Sequence, residues 1–196
     1  YFQGVNRQQL LKLLAKQDWR LACWHQRWTY VLKGEPRFHI YSPHKPTETE
    51  LQQLFENIDF YTGQEIDKNP FYGFMHLTEV AIKALSPGIN DPNTAVLCIH
   101  ALTDLLTQKI LMQPVNVLYD KKDKARIYLK DHTFDELFVR CVHAIWDYGK
   151  KDAFVNQAFE RMLHQLARVD NDNKYEQLLM EFKLKLEETR SGWRSH

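Results

Sequence analysis

Apolar residues recur at every third or fourth position through most of this chain, and that spacing predicts a mainly helical protein. The first helix falls within residues 5–20, where Leu10, Leu13 and Leu14 recur at helical spacing. A second helix follows Thr47 or Thr49, because either threonine can accept hydrogen bonds from the free amides of a first helical turn.

A pair of longer helices occupies the centre of the chain. We expect Asn69 to cap the first, with Pro70 in its first turn, and Asp91 to cap the second, which begins at Pro92. The expected buried stripe of the first helix consists of Phe71, Phe74, Met75, Thr78, Ile82 and Leu85. That of the second helix consists of Ala95, Cys98, Ile99, Leu102, Leu105 and Leu106.

The last third of the chain is helical as well. Thr133 and Glu136 have the spacing of a capping box, in which each side chain bonds the backbone of the other, and Gly149 ends the helix that they open. Two further helical segments follow and extend the predicted structure to residue 190.

Aromatic and β-branched residues predict two strands near the amino terminus, at 21–32 and 37–42, with Gly34 and Pro36 between them. Later in the chain, VNVLY and ARIYL predict a β-hairpin around the charged turn DKKDK. The predicted fold class is α+β, mainly α. It is a helical bundle with a central helix–corner–helix pair, a small β element near the N-terminus and a β-hairpin between helices.

The chain length suits one soluble domain, expected at residues 5–190. Residues 1–4, YFQG, match the remnant of a purification tag and are set apart from the fold prediction. The expected parts of the domain are an α/β part at 5–62, the helix pair at 63–108, and the hairpin with the closing helices at 114–190, before a frayed tail at 191–196.

Charge balance narrows the class of partner. The 26 basic and 25 acidic residues give a formal net charge of +1, whereas a dedicated nucleic-acid surface normally shows a basic excess. We therefore expect no nucleic-acid partner. Trp19, Trp24 and Trp28 are interpreted as strand packing rather than as a platform for stacked bases.

Apolar runs and cysteines add two further limits. No uninterrupted apolar run approaches the roughly 20 residues that span a bilayer. Cys23, Cys98 and Cys141 are odd in number and widely spaced, so they predict neither a disulfide framework nor a zinc site. Reduced thiols in a reducing compartment are the simplest interpretation.

The corner between the central helices, ALSPGINDPNTA at residues 84–95, is the richest stretch chemically. Each special residue has a role in building a turn: Pro87 ends one helix, Gly88 supplies a positive φ, and Asp91 with Pro92 starts the next helix. The polar residues also allow an anion at the helix amino terminus or a cation at Asp91. The candidate binding residues are Ser86, Pro87, Gly88, Asn90, Asp91, Pro92 and Thr94.

Polar side chains on the two central helices form a second candidate. His76 and Glu79 share a helix face, and His100 and Asp104 do so on the next helix. Together with Asp91 they would make an acceptable set of ligands for a transition metal, and His76, Glu79 and His100 are the catalytic candidates. The alternative is that all are solvated or interhelical polar residues. The sequence identifies no cofactor.

The corner also carries a resemblance. ALSPGINDPNTA, preceded by FYGFMHLTEVAIK and followed by VLCIHALTDLL, resembles the signature of a bacterial family of predicted membrane proteins, domain-of-unknown-function family 2254. The resemblance implies an amino-terminal part with several transmembrane helices, absent from this chain, in the cell membrane. An even number of spans and a cytoplasmic start would place this chain on the cytoplasmic side, and the resemblance brings no established activity.

Three functions are therefore open. The first is a soluble domain of an integral membrane protein that regulates the membrane part or forms a homo-oligomer. The second is a metal-dependent, hydrolase-like enzyme built on the helix pair. The third is a sensor of an ion or small ligand at the corner, coupled to a membrane channel or transporter. The expected partners are the transmembrane part of the same protein and further copies of this chain.

Overall fold

The computed structural model describes residues 1–60, 70–112 and 115–193, so the expected cap Asn69 lies outside the described residues. The chain divides into two compact units. Unit 1 comprises Tyr1–Tyr72 and Pro114–His132, and unit 2 comprises Gly73–Gln113 and Thr133–His196. The single domain expected at 5–190 stays a prediction, and each unit is described by itself.

Unit 1 combines two helices with short strands. Its elements in chain order are β1 (Phe2–Val5), α1 (Arg7–Gln17), β2 (Arg20–Gln26), β3 (Phe38–Tyr41), α2 (Glu48–Phe55), β4 (Ile58–Phe60), β5 (Val117–Tyr119) and β6 (Ala125–Lys130). Local capping fixes the helices: Asn6 accepts from the Gln9 amide, and Thr47 forms a capping box with Glu50.

A four-stranded mixed sheet, in the order β3-β2-β6-β5, forms the body of unit 1. β2 pairs antiparallel with β3 and parallel with β6, and β5 and β6 form the predicted hairpin. The parallel pair joins segments that are far apart in the sequence and was not predicted. The strand predicted at 21–32 is shorter than expected and ends at Gln26. Trp28 has a left-handed φ of 69°, which an extended strand cannot contain.

The inner face of this sheet is covered by α1 and α2. Leu10 and Leu14 of α1 and Leu54 of α2 are fully buried in one cluster with the inward side chains of the strands, Leu21, Cys23, Leu118, Ile127 and Leu129. β1 pairs antiparallel with β4, and Phe2 is only 2% exposed in the same cluster. Phe2 therefore contributes to the core of unit 1, and the origin of residues 1–4 from a tag stays a prediction.

Arg126 closes the unit with a buried polar link. Its Nε donates to Asp120 Oδ2 at 2.8 Å, and its Nη1 donates to Asp18 Oδ1 at 2.8 Å and to the carbonyl of Trp19 at 3.2 Å. The hydrogen bond from Arg126 lowers the pKa of Asp120 to about 2. Arg126 thus links Asp120 of the turn DKKDK to Asp18, which lies just before β2. The lysines of the turn are exposed to solvent.

Unit 2 is helical. Its elements are α3 (Pro70–Ala84, in this unit from Gly73 on), α4 (Pro92–Leu111), α5 (Phe134–Phe138), a π-helical segment (Val139–His143), α6 (Ala144–Gly149), α7 (Ala153–Val169) and α8 (Glu176–Trp193). The capping box of Thr133 with Glu136 and the end of a helix at Gly149 are confirmed, whereas the π-helical segment was not predicted. α8 continues to Trp193, into the segment expected to be frayed.

The core of unit 2 forms around α4, which packs against α7 and α5. The predicted face of α4 is confirmed except at Leu105, which is half-buried while Thr103 is buried and donates to the Ile99 carbonyl at 2.7 Å. On α3 the predicted stripe is shifted. Phe74 and Thr78 are buried as expected, but the face is completed by Ala81 and Ala84, whereas Phe71, Met75, Ile82 and Leu85 are half-buried.

Candidate functional site

The corner between α3 and α4 satisfies its own backbone. The hydroxyl of Ser86 donates to the Lys83 carbonyl at 2.7 Å, and the Ser86 carbonyl accepts from the amides of Ile89 and Asn90. The Asp91 amide donates to the carbonyl of Ala84, the last residue of α3, at 2.8 Å. The free carbonyls that a helix leaves at its end are thus used within the turn.

Asp91 is the predicted N-cap of α4. Its Oδ1 accepts from the Thr94 amide at 3.2 Å and its Oδ2 from the Thr94 hydroxyl at 2.6 Å, while Pro92 takes the first helical position. The hydrogen bonds from Thr94, first the hydroxyl and then the amide, lower the pKa of Asp91 below its ordinary value. The carboxylate therefore carries a negative charge at the positive end of α4, where an anion would otherwise bind.

The positive φ of the corner lies at Asn90, with φ 49°, and not at Gly88 as the sequence suggested. Asparagine tolerates this conformation better than most residues, so the turn does not require glycine there. A Cβ added at Gly88 would meet nothing within 4 Å. Pro87, Gly88, Ile89 and Asn90 form the exposed tip of the corner.

The side chains predicted as metal ligands do not form a cluster among the described residues. His76 and Glu79 on α3, and His100 and Asp104 on α4, are all exposed, and Asp91 is engaged by Thr94. Within residues 1–60, 70–112 and 115–193, no three histidine, cysteine or acidic side chains are placed to hold a metal ion. The geometry thus adds no support to the metal-dependent alternative, and the catalytic role of His76, Glu79 and His100 stays a prediction.

The three cysteines are free and buried. Burial raises the pKa of Cys23 to about 12 and also raises those of Cys98 and Cys141. A thiol with a raised pKa holds little thiolate at neutral pH and is a poor nucleophile. The interpretation of these residues as reduced core thiols is consistent with the structure.

One surface of unit 1 was not predicted from the sequence. The side of the four-stranded sheet away from its core carries aromatic and cationic side chains, and we call it the outer sheet face. It consists of Arg20, Trp24, His39, Tyr41, Tyr128 and Lys130. Alternation along β2 was the available signal, because Leu21 and Cys23 point inward and Arg20 and Trp24 must then point outward.

α4 carries a possible membrane signal. Among the residues that the structure describes, it is the one helix long and apolar enough, by length and composition alone, to cross a bilayer. Such a helix is weak evidence for a span, since the core helix of a water-soluble unit has the same properties. The apolar side of α4 packs against α7, and its other side exposes His100 and Asp104.

A groove runs between α7 and α8 of unit 2. Its volume is about 380 Å³, and Leu163, Leu179 and Leu186 form part of its floor. Charged residues of both signs line its rim, including Glu160 and Lys183. Met180, which also lines the groove, is 48% exposed, and Phe154 of α7 and Leu184 of α8 are 63% and 50% exposed.

Comparison with known proteins gives a family. The family described as Predicted membrane protein (DUF2254) matches residues 1–165. The chain is similar to the uncharacterized proteins Mb1321c of Mycobacterium bovis and Rv1290c of Mycobacterium tuberculosis, with 25% identity over 131 residues to each. Each match covers 65% of this chain and 25% of the relative, so the chain spans about a quarter of the curated relatives it matches. No solved structure matches significantly.

Proposed function

The chain belongs to the DUF2254 family of predicted membrane proteins, and from that premise we propose that it forms the water-soluble part of a longer, membrane-anchored protein. In this proposal the chain lies on the cytoplasmic side and acts by binding, either regulating the membrane part or assembling with its own copies. Most of the length of the mycobacterial relatives lies outside the match, which leaves room there for membrane segments.

The packing of α4 carries this proposal. The most hydrophobic long helix directs Ala95, Ile99 and Leu102 into the core, where they are fully buried. Its opposite side exposes Asp104, and an acidic side chain at the centre of a bilayer costs about 3 kcal/mol. α4 is therefore better suited to the core of a water-soluble unit than to a span.

The buried cysteines support the cytoplasmic side. Cys23, Cys98 and Cys141 form no disulfide with one another, and unpaired thiols are typical of reducing compartments.

The groove between α7 and α8 supports self-association. Met180 exposes apolar area in it, and Phe154 and Leu184 expose more on the same two helices. The rim carries Glu160 and Lys183, which pair within the chain with Arg190 and Glu187 at the surface. A two-fold contact joins a surface to itself, so a mixed rim allows acidic groups of one copy to meet basic groups of the other. We therefore assign this groove to a second copy of the chain.

Light scattering without detergent tests both parts of the proposal. We expect a dispersed chain whose mass increases with concentration, and we expect Met180→Gln with Leu184→Gln to return it to a monomer. Leu97→Gln is the matched control, because Leu97 is 67% exposed on α4 outside the groove. A chain that stays monomeric at every concentration would overturn self-association, and a chain that remains in solution only with detergent would overturn the water-soluble role.

A further inference from the structure

The outer sheet face forms one connected set of rings and cations. The Trp24 and His39 ring centroids are 4.9 Å apart, and those of His39 and Tyr41 are 6.3 Å apart. At the two ends stand cations: Lys130 Nζ lies 5.9 Å from the Trp24 ring, and Arg20 Cζ lies 5.7 Å from the Tyr41 ring. The face is thus an aromatic strip with a positive charge at either end.

Strand register explains why the strip is continuous. Arg20 pairs with Tyr41, and Ala22 pairs with His39 on one side and Tyr128 on the other. Side chains directly opposite on neighbouring strands are close enough to touch. Because Ala22 is small, the surface is depressed between the His39 and Tyr128 rings on either side of it.

These rings are exposed although they are large. Trp24 is 50% exposed, Tyr41 53% and Tyr128 38%, and Tyr119 on the neighbouring strand β5 is 55% exposed. Single exposed apolar residues are ordinary on protein surfaces, but a contiguous group of them marks a surface that binds something. The inner face of the same sheet already holds the core, so the outer strip is not needed for folding.

The charges of the face favour an anionic partner. Arg20 and Lys130 lie on it, and Lys124 lies at its edge, beside an open groove of about 820 Å³ that Arg20 and Tyr41 also line. Asp18 is an exposed acid at this edge, where it accepts from Arg126 at 2.8 Å and lies 4.0 Å from Lys124 Nζ. Asp120 is paired with the same arginine, so both acids have cationic partners, while Arg20 and Lys130 remain exposed on the face.

We propose that the outer sheet face of unit 1 lies on the anionic headgroup surface of the membrane that anchors the rest of the protein. This inference rests on the proposed function, since it requires that the chain is tethered beside a bilayer. Tryptophan and tyrosine concentrate at membrane–water interfaces, where the ring meets acyl chains and its polar atom meets water. Lysine and arginine there attract anionic lipids.

Vesicle flotation of the whole chain tests the proposal. We expect binding to phosphatidylcholine vesicles that contain phosphatidylglycerol, weak binding to phosphatidylcholine alone, and release at 1 M salt, where the Debye length falls to about 3 Å. Each cation at an anionic surface strengthens binding about fivefold, so Arg20→Glu with Lys130→Glu should weaken it by at least roughly 25-fold. The matched control is Arg7→Glu with Lys12→Glu, an equal charge change on the exposed side of α1, which should bind better than the face variant.

A second pair of variants tests the rings without changing charge. We expect Trp24→Ala to weaken vesicle binding several-fold, because the interfacial ring is lost while both cations remain. Tyr148→Ala removes a ring that is 59% exposed in unit 2 and should leave binding unchanged. Unchanged urea midpoints would show that each variant folds, and Arg20→Gln with Lys130→Gln provides a milder face variant if the glutamates do not fold.

Three outcomes would overturn the proposal. One is no binding to anionic vesicles, and another is equal binding by the face and control variants. The third is a preference for a short single-stranded oligonucleotide, which would assign the strip to stacked bases. If the water-soluble role itself is wrong, the result differs: the chain should insert into neutral vesicles and resist release by salt.

Discussion

The corner of unit 2 and the outer sheet face of unit 1 differ in how much side-chain surface they leave exposed, although Lys130 Nζ also donates to the Trp24 carbonyl at 3.2 Å. At the corner, Ser86 and Asp91 bond the backbone of α3 and α4, so their polar atoms serve the joint between two helices. On the sheet, Trp24 and Lys130 remain exposed after the core has formed. A distinctive sequence motif can therefore reflect what the backbone of a turn requires. A surface available to a partner can be built from scattered residues that form no motif.

The largest expected loss of stability comes from removing Arg126, the arginine of unit 1 that pairs with Asp18 and Asp120. Arg126→Ala should clearly lower the free energy of unfolding, because the Asp120 carboxylate and the Trp19 carbonyl both lose the guanidinium that they share. Arg20→Ala is the matched control on the neighbouring strand and should cost less than about 0.5 kcal/mol. Urea unfolding measures both, and equal losses would contradict the division of this surface into structural and exposed cations.

Alanine substitutions at two glycines of unit 2 distinguish the cost of a steric clash from the cost of changing the backbone conformation. A Cβ at Gly149 would lie 2.6 Å from Val155 Cγ1 and 3.0 Å from Leu85 Cδ1, so Gly149→Ala should cost about 1–3 kcal/mol. Gly88→Ala makes the same change in open space and should alter stability by less than about 1 kcal/mol. Thermal unfolding compares the two. A large loss at Gly88 would mean that the tip of the corner does more than turn the chain.

The cap of α4 gives a smaller effect. Asp91→Ala removes the acceptor for the Thr94 amide and should lower the unfolding midpoint by a few degrees. Asp91→Asn keeps an oxygen in place and should lower it less. If the asparagine variant is as unstable as the alanine variant, the negative charge itself matters, and a cation at the corner should then be sought by adding divalent metals.

Acid should affect the two units at different pH values. Burial and then Lys185 lower the pKa of His143 below 6.5, so the stability present above that pH is lost as pH falls through the lowered value. The pKa of Asp120, about 2, lies below its ordinary 3.8, so its contribution persists to pH 4 and is lost towards pH 2. Midpoints measured against pH for His143→Gln and Asp120→Asn check this, and an unchanged profile in either variant would contradict the assignment.

Local signals in the sequence predicted much of this fold. Asp91 and Thr133 cap helices as predicted, and Thr47 is the cap of the two threonines left open, because a cap depends on residues only three positions away. The parallel pairing of β2 with β6 depends on residues about a hundred positions apart and leaves no local trace. The corner could be located from the sequence, but not the fact that Thr94 occupies both carboxylate oxygens of Asp91.

Lysine labelling with mass spectrometry tests the central claim most directly, because it compares the two regions in one sample. Lys124 and Lys130 lie at the outer sheet face, and Lys83 lies exposed beside the corner. With anionic vesicles present, we predict slower labelling of Lys124 and Lys130 and unchanged labelling of Lys83. Slower labelling of Lys83, with Lys130 unaffected, would contradict this prediction and would indicate that the corner, rather than the outer sheet face, is the binding surface.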